Sequence, residues 1–192
     1  MGKMFNFNPS DYAAEFARQG YVHIRRGITD EFYRLLADQV DRHLDAHQLK
    51  EWAVGNKQQG LYQFPEGGNY YEEFMQTIGA VCGLDPRRLT LSERHIKAYE
   101  ANANPTPLAH KDRYASQISV GFSVTVPPGS RLVLYPHDDV SMNLYNTSAR
   151  LRASFTEDTL PEPRLKNATK IIIEDKPGDV MIFLGNAIWH LR

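Results

Sequence analysis

The chain has 192 residues, 42% hydrophobic and 23% charged, which is ordinary for one globular domain with a sizeable core. Its formal net charge is −1, so no strong electrostatic field favours nucleic acid or an anionic membrane as a partner. We find neither an apolar stretch of the roughly 20 residues that span a membrane nor a secretion signal. The single cysteine, Cys82, fits a reducing compartment, so we expect a cytoplasmic protein.

Residues 1–88 are predicted to be mainly helical. Apolar residues recur at helical spacing after Thr29, and a second helical stretch over 70–81 precedes Gly83, a residue typical of helix C-termini. A further helix is predicted over 11–18, and a short strand over 21–24 lies between it and the helix that follows Thr29.

From residue 89 onward the predicted elements are short strands. Residues 117–126 alternate between apolar and small polar side chains, which favours an antiparallel strand with one buried face. Further strands are predicted over 91–99, 131–135, 170–174, 180–184 and 187–192. This order predicts a single α+β or mainly β domain, in which residues 1–88 pack on a jelly-roll core formed by residues 89–192.

The sequence contains three His-x-Asp patterns, at 43–45, 110–112 and 137–139. On a strand, side chains i and i+2 point to the same side from Cα atoms about 6.6 Å apart, so both can reach one metal ion. On a helix the two side chains diverge by about 200°, which excludes the pattern at 43–45. The other two patterns are both sterically possible.

A 2-His-1-carboxylate metal site needs a second histidine in addition to the His-x-Asp pattern. His190 lies in a predicted late strand and is the candidate for this third ligand. We favour His110 and Asp112 as its companions, because more β-structure separates them from His190 than separates the pattern at 137–139.

The motifs occur in a recognisable order. His110-x-Asp112 is followed by Gly178-Asp179-Val180-Met181-Ile182-Phe183 and then by Trp189-His190. Upstream lie Phe16-Ala17-Arg18-Gln19-Gly20-Tyr21-Val22-His23-Ile24 and Thr29-Asp30-Glu31. Over most of its length the chain thus resembles the phytanoyl-CoA-hydroxylase-like group of iron(II)/2-oxoglutarate-dependent oxygenases.

This resemblance implies a double-stranded β-helix (jelly roll) with iron(II) held by His110, Asp112 and His190. It also implies 2-oxoglutarate and O₂ as cosubstrates, and hydroxylation or a related oxidation as the reaction. The Asp at position 112 is similar to that of hydroxylases, since halogenating relatives have a small residue there.

The chain departs from the family pattern at the arginine that binds the distal carboxylate of 2-oxoglutarate. The family has this arginine about one strand beyond the second histidine, whereas this sequence ends with Arg192, two residues after His190. Arg192 would share a strand face with His190, and Arg131 is a second candidate because its guanidinium matches a carboxylate. A third alternative is that the sequence stops before its final strand.

The predicted strand 91–99 places His95, Lys97 and Tyr99 on one face. If this face lines the barrel, Tyr99 is a candidate for binding 2-oxoglutarate, and His95 and Lys97 are candidates for binding substrate. The alternative is that the three side chains form the solvated face of an edge strand.

We therefore expect a dioxygenase that hydroxylates a small metabolite, with no nucleic-acid or membrane partner. The displaced arginine keeps open a cupin-like metal enzyme that does not use 2-oxoglutarate. A non-catalytic jelly roll that binds a ligand is a further alternative, because fold alone does not determine function.

Overall fold

The computed structural model describes residues 2–45, 50–52, 57–99 and 108–192. Its α-helices are α1 (Ser10–Gln19), α2 (Asp30–Asp45), α3 (Tyr70–Cys82), α4 (Ser148–Ala153) and α5 (Pro161–Leu165). Its strands are β1 (Tyr21–Ile24), β2 (Lys50–Trp52), β3 (Lys57–Leu61), β4 (His95–Tyr99), β5 (Ser119–Phe122), β6 (Leu132–Tyr135), β7 (Ile171–Ile173), β8 (Val180–Phe183) and β9 (Trp189–Leu191). Two 3₁₀ turns lie at Pro86–Arg88 and Glu157–Thr159.

The described strands form three antiparallel sheets of three strands each. Sheet A has the order β1-β8-β5, sheet B the order β7-β6-β9 and sheet C the order β2-β3-β4. The N-terminal part of the chain therefore contributes β1 to sheet A and two strands to sheet C, besides its helices.

Strand β8, in the middle of sheet A, is buried on both faces, because its side chains alternate between two apolar clusters. Val180 and Ile182 pack with residues of the N-terminal helices, among them Phe32. Met181 and Phe183 point the other way and belong to a second cluster. That cluster includes Leu132, Leu134 and Ile173 of sheet B. Sheets A and B therefore face each other, and the helices cover the outer side of sheet A.

The structure confirms several predicted elements. The helix predicted over 70–81 is α3, and Gly83 ends it in the left-handed conformation at φ 68°. The strands predicted over 117–126 and 91–99 are present as β5 and β4, which are shorter than the predicted ranges. No helix in the described parts of the chain is long and apolar enough to cross a lipid bilayer.

Strands β2 and β3 were not predicted. The described residues of β3 have the sequence Lys57-Gln58-Gln59-Gly60-Leu61, which lacks the alternation of apolar and polar residues that identifies a half-buried strand. β3 pairs with β4 over five residues, from Lys57 opposite Tyr99 to Leu61 opposite His95. Main-chain pairing, which does not depend on side-chain pattern, defines this strand.

Candidate metal centre

The main chain brings His110 and His190 side by side. The two residues form an isolated antiparallel bridge, in which His110 N–H donates to His190 O at 2.8 Å and His190 N–H donates to His110 O at 2.9 Å. Residues that exchange both main-chain bonds project their side chains to the same face. The imidazole ring centroids are accordingly 4.4 Å apart.

Asp112 follows His110 on the same side of the segment. Its N–H donates to the carbonyl of Gly185 at 2.8 Å, in the loop between β8 and β9. The intervening Lys111 is buried and contacts other groups, which is the alternation expected of extended backbone. His110 and Asp112 therefore point to the same side, as their spacing predicts. The segment that bears them is not a full strand but pairs with β9 through one bridge.

Three ligand atoms converge at this point. Oδ1 of Asp112 lies 4.0 Å from Nε2 of His110 and 3.7 Å from Nε2 of His190. One ligand atom from each of the three residues lies within 4.8 Å of the others. Phe183 of sheet A packs against His190, with ring centroids 4.8 Å apart, so the cluster lies between sheets A and B.

The proton on His190 is placed by its surroundings. Nδ1 of His190 lies 2.9 Å from the carbonyl oxygen of Ile188. Since a carbonyl only accepts hydrogen bonds, Nδ1 carries the proton and the lone pair lies on Nε2. A hydrogen bond from the outer ring nitrogen is how proteins orient a metal-binding histidine.

Asp112 has the electrostatics of an anionic ligand. Burial by itself raises its pKa, but the neighbouring imidazole of His190, whose Nε2 lies 3.7 Å from Oδ1, acts in the opposite direction. The Ser119 hydroxyl, which donates to Oδ2, and the charge of His110 add to that effect, so the pKa of Asp112 lies well below its usual range. Oδ2 is thereby occupied by Ser119, while Oδ1 faces the two histidines.

Gly185 leaves space for this carboxylate. A Cβ atom at position 185 would overlap both Oδ2 of Asp112 and the hydroxyl of Ser119. Two histidine nitrogens, one ionised carboxylate and a cradle without room for a side chain fit a divalent metal ion such as iron(II).

The other two His-x-Asp patterns are placed differently. Residues 43–45 lie at the end of α2, as predicted. His137 is exposed, and Asp139 forms an ion pair with Lys111, with Nζ and Oδ2 3.2 Å apart. Among the described residues, the three-ligand cluster is His110, Asp112 and His190.

A second polar cluster includes Arg192. Its guanidinium forms an ion pair with the buried Asp175. Asp175 also accepts a hydrogen bond from the hydroxyl of Ser123, the residue that follows β5. Oδ1 of Asp175 and Nε of Arg192 are buried and have no hydrogen-bond partner among the described residues. Burial raises the pKa of Asp175, but Ser123 and then Arg192 lower it more, so this carboxyl has a depressed pKa.

Charges from both clusters act on Tyr99. Burial raises its pKa, and the charge of Arg192 lowers it. The charges of Asp112 and Asp175 raise it again. Tyr99 is therefore within electrostatic reach of both the metal ligand and the arginine.

The remaining predicted residues lie around this region in different ways. His95 and Lys97 share a strand face with Tyr99 and are exposed. Burial lowers the pKa of His95, although Glu93 beside it raises it. Arg131 is exposed and lines a separate cavity of about 350 Å³ with His23 and other residues, so the structure does not bring it to the triad.

Sequence reasoning missed the residues that hold the ligands in place. Ser119 was noted only as part of a small polar face, and Gly185 was not singled out. Gly185 lies two residues after the end of the apolar strand β8, and a glycine at the end of a strand is a signal of close backbone approach. Asn143 is buried and donates from its side chain to the carbonyl of Asp112 at 2.8 Å. No local pattern indicates that contact.

No family model matches the sequence, and no curated protein matches it. Solved structures do match. A Pseudomonas putida prolyl-4-hydroxylase has a TM-score of 0.59 at 14% identity, over 96% of this chain and 90% of that one. The epimerase SnoN from nogalamycin biosynthesis, described as non-heme and alpha ketoglutarate dependent, has a TM-score of 0.66 at 13% identity, over 95% and 76% of the two chains.

A second SnoN structure, in complex with Fe3+, alpha ketoglutarate and nogalamycin RO, matches with a TM-score of 0.65 at 13% identity, over 95% of this chain and 76% of that one. At these identities the likeness shows a common fold. The chain is an α+β protein with antiparallel sheets that shares its fold with this hydroxylase and this epimerase.

Proposed function

We propose that the chain is a non-haem iron(II)/2-oxoglutarate-dependent oxygenase with a double-stranded β-helix core. The observation that carries the proposal is the convergence of His110 Nε2, Asp112 Oδ1 and His190 Nε2 between sheets A and B. The fold it shares with SnoN, whose structure was determined with Fe3+ and alpha ketoglutarate, supports the same conclusion.

In this proposal His110, Asp112 and His190 bind iron(II) on one side and leave its other positions open. Bound iron would supply O₂ activation, coupled to conversion of 2-oxoglutarate to succinate and CO₂. The chain's own residues orient the ligands. Ile188 fixes the tautomer of His190, and Ser119 holds Oδ2 of Asp112 so that Oδ1 faces the metal position.

We place the distal carboxylate of 2-oxoglutarate at Arg192, with Tyr99 beside it. Nε of Arg192 is buried and has no hydrogen-bond partner in the part of the chain that the structure describes, so it retains a donor for a carboxylate. The charges of Arg192 and Asp112 both act on the pKa of Tyr99, which supports placing Tyr99 beside the cosubstrate. Arg131 is the weaker candidate, because it is exposed and lines a different cavity.

We further propose that the reaction is hydroxylation of a small metabolite in a cytoplasmic protein of the phytanoyl-CoA-hydroxylase-like group. An intact carboxylate ligand at Asp112 supports hydroxylation. His95 and Lys97 share a strand face with Tyr99, so we propose that they contact the substrate. A net charge of −1 gives no electrostatic support to a nucleic-acid substrate.

Anaerobic titration tests both cofactors together. The iron(II) protein is titrated with 2-oxoglutarate and followed in the visible. A weak, saturable charge-transfer band is expected, followed by succinate formation when O₂ is admitted. The absence of iron binding would contradict the proposal. The matched control is His137→Ala, which alters the exposed His-x-Asp pattern and should leave the band unchanged.

One observation favours a second candidate, a cupin-like metal enzyme that does not use 2-oxoglutarate. Arg192 already forms an ion pair with Asp175, whose negative charge opposes a dicarboxylate. In that case iron would bind, but neither the charge-transfer band nor succinate would appear.

A further inference from the structure

Lys111 is a buried lysine directly between two metal ligands. Only 2% of its surface is exposed, and it is the one lysine or arginine in the buried core of the described residues. Because it alternates with His110 and Asp112, its side chain points away from the metal position. Burial of an ammonium group is unfavourable unless the group is paired, so the burial of Lys111 needs a physical explanation.

The ammonium group of Lys111 has three partners. Nζ lies 2.6 Å from the carbonyl oxygen of Ser141 and 3.2 Å from Oδ2 of Asp139. It also lies 5.1 Å from the centroid of the Trp189 ring, a distance typical of cation–π contacts. Trp189 is buried and immediately precedes the ligand His190.

These contacts join both metal-bearing segments to one loop. Lys111 connects the segment 110–112 to the loop 139–143 and, through the Trp189 ring, to β9. The same loop contributes Asn143, which is 1% exposed and donates from its side chain to the carbonyl of Asp112. The N–H of Asn143 donates to the carbonyl of Asn186 at 2.7 Å, next to Gly185.

We propose that the Lys111–Asp139 ion pair, closed over Trp189, is a positioning device that holds Asp112 and His190 in the geometry needed to bind the metal. This inference rests on the metal site of the proposed function. It assigns a role to the third His-x-Asp pattern: its aspartate binds the middle residue of the metal-binding pattern instead of the metal.

The test uses Co(II) alone as the probe, followed by its visible absorption. Lys111→Met removes the charge of the lysine with little change in shape, and Asp139→Asn removes the negative charge of its partner. Each should weaken Co(II) binding by about 10- to 100-fold and alter the absorption bands, as changes behind metal ligands do. The double variant should bind no more weakly than the worse single variant, because the two residues act as one unit.

Lys166→Met makes the same chemical change at an exposed lysine and should leave Co(II) affinity unchanged. Thermal unfolding of the metal-free variants separates positioning from stability. Folded Lys111→Met and Asp139→Asn proteins with wild-type Co(II) affinity and spectra would overturn the inference, even if they unfold at lower temperature.

If Lys111→Met does not fold, Asp139→Asn decides the question, because the Asp139 side chain is 38% exposed and asparagine conserves its shape. A wild-type protein that fails to bind Co(II) contradicts the proposed metal site itself. Failure of the function and failure of the ion-pair inference are therefore distinguishable.

Discussion

Two His-x-Asp segments of this chain have the same sequence pattern and opposite surroundings. In the segment 110–112, both outer side chains point between sheets A and B, where His190 meets them. In the segment 137–139, His137 is exposed and Asp139 faces a buried lysine.

The difference shows that the pattern alone does not make a metal site. What distinguishes the first segment is the set of groups that other parts of the chain bring to it. Gly185 accepts from the Asp112 N–H, Ser119 donates to the Asp112 carboxylate, and His190 pairs with the His110 main chain. Four substitutions should therefore separate the two segments, beginning with the loss of a ligand and ending with the loss of a single hydrogen bond.

The largest effect is expected from His110→Ala, which should abolish detectable iron(II) binding. The main-chain bridge to His190 persists in this variant, so the loss reflects the missing imidazole. His137→Ala should bind one iron(II) as the wild type does. Metal content after anaerobic loading and desalting checks both. If only His137→Ala lost the metal, the two segments would have been assigned the wrong way round.

Gly185→Ala should weaken metal binding by about 10- to 100-fold while both histidines and Asp112 remain in the chain. The added methyl group overlaps the carboxylate of Asp112 and must displace it. Gly121→Ala is the matched control, because a Cβ there meets nothing within 4 Å. Co(II) titration of the two proteins makes the comparison, and equal affinities would contradict the described cradle.

Asp175→Asn should tighten 2-oxoglutarate binding to the iron(II) protein by about tenfold, or ~1.4 kcal/mol. The substitution removes a negative charge beside Arg192 and frees its guanidinium for the cosubstrate. The midpoint of the anaerobic titration measures the change. Unchanged or weaker 2-oxoglutarate binding with normal iron content would place the distal carboxylate away from Arg192.

Ser119→Ala is expected to have the smallest effect, a loss of about fivefold in metal affinity, or ~1 kcal/mol. It removes one hydrogen bond to Oδ2 of Asp112 and leaves the ligand atoms in place. Ser130→Ala, in the turn before β6, should have no effect on Co(II) affinity. A loss as large as that of His110→Ala would show that Ser119 itself binds the metal.

The local parts of the fold were predictable from the sequence. Helix α3 and its end at Gly83 follow from the spacing of apolar residues and from one glycine. The strand that became β5 follows from two-residue alternation, and Val120 and Phe122 pack against the helices. The His110, Asp112 and His190 cluster was also predicted, because i and i+2 on extended backbone share a face.

The groups that support the ligands were not predictable, because each contact joins distant parts of the chain. Lysine is usually a surface residue, so the sequence gives no reason to expect Lys111 to be buried. Its burial depends on a loop that lies 28 residues away in the sequence. The ion pair of Arg192 with Asp175 depends on how the last described strand meets the residues after β7. Single-sequence patterns describe one element at a time and carry no information about such pairs.

The most direct test of the central claim is a crystal structure of the chain grown with Mn(II), an unreactive substitute for iron(II), and examined by anomalous difference density. We expect a single strong peak coordinated by His110 Nε2, Asp112 Oδ1 and His190 Nε2. A peak at His137 and Asp139, or no peak in crystals of the folded protein, would contradict it.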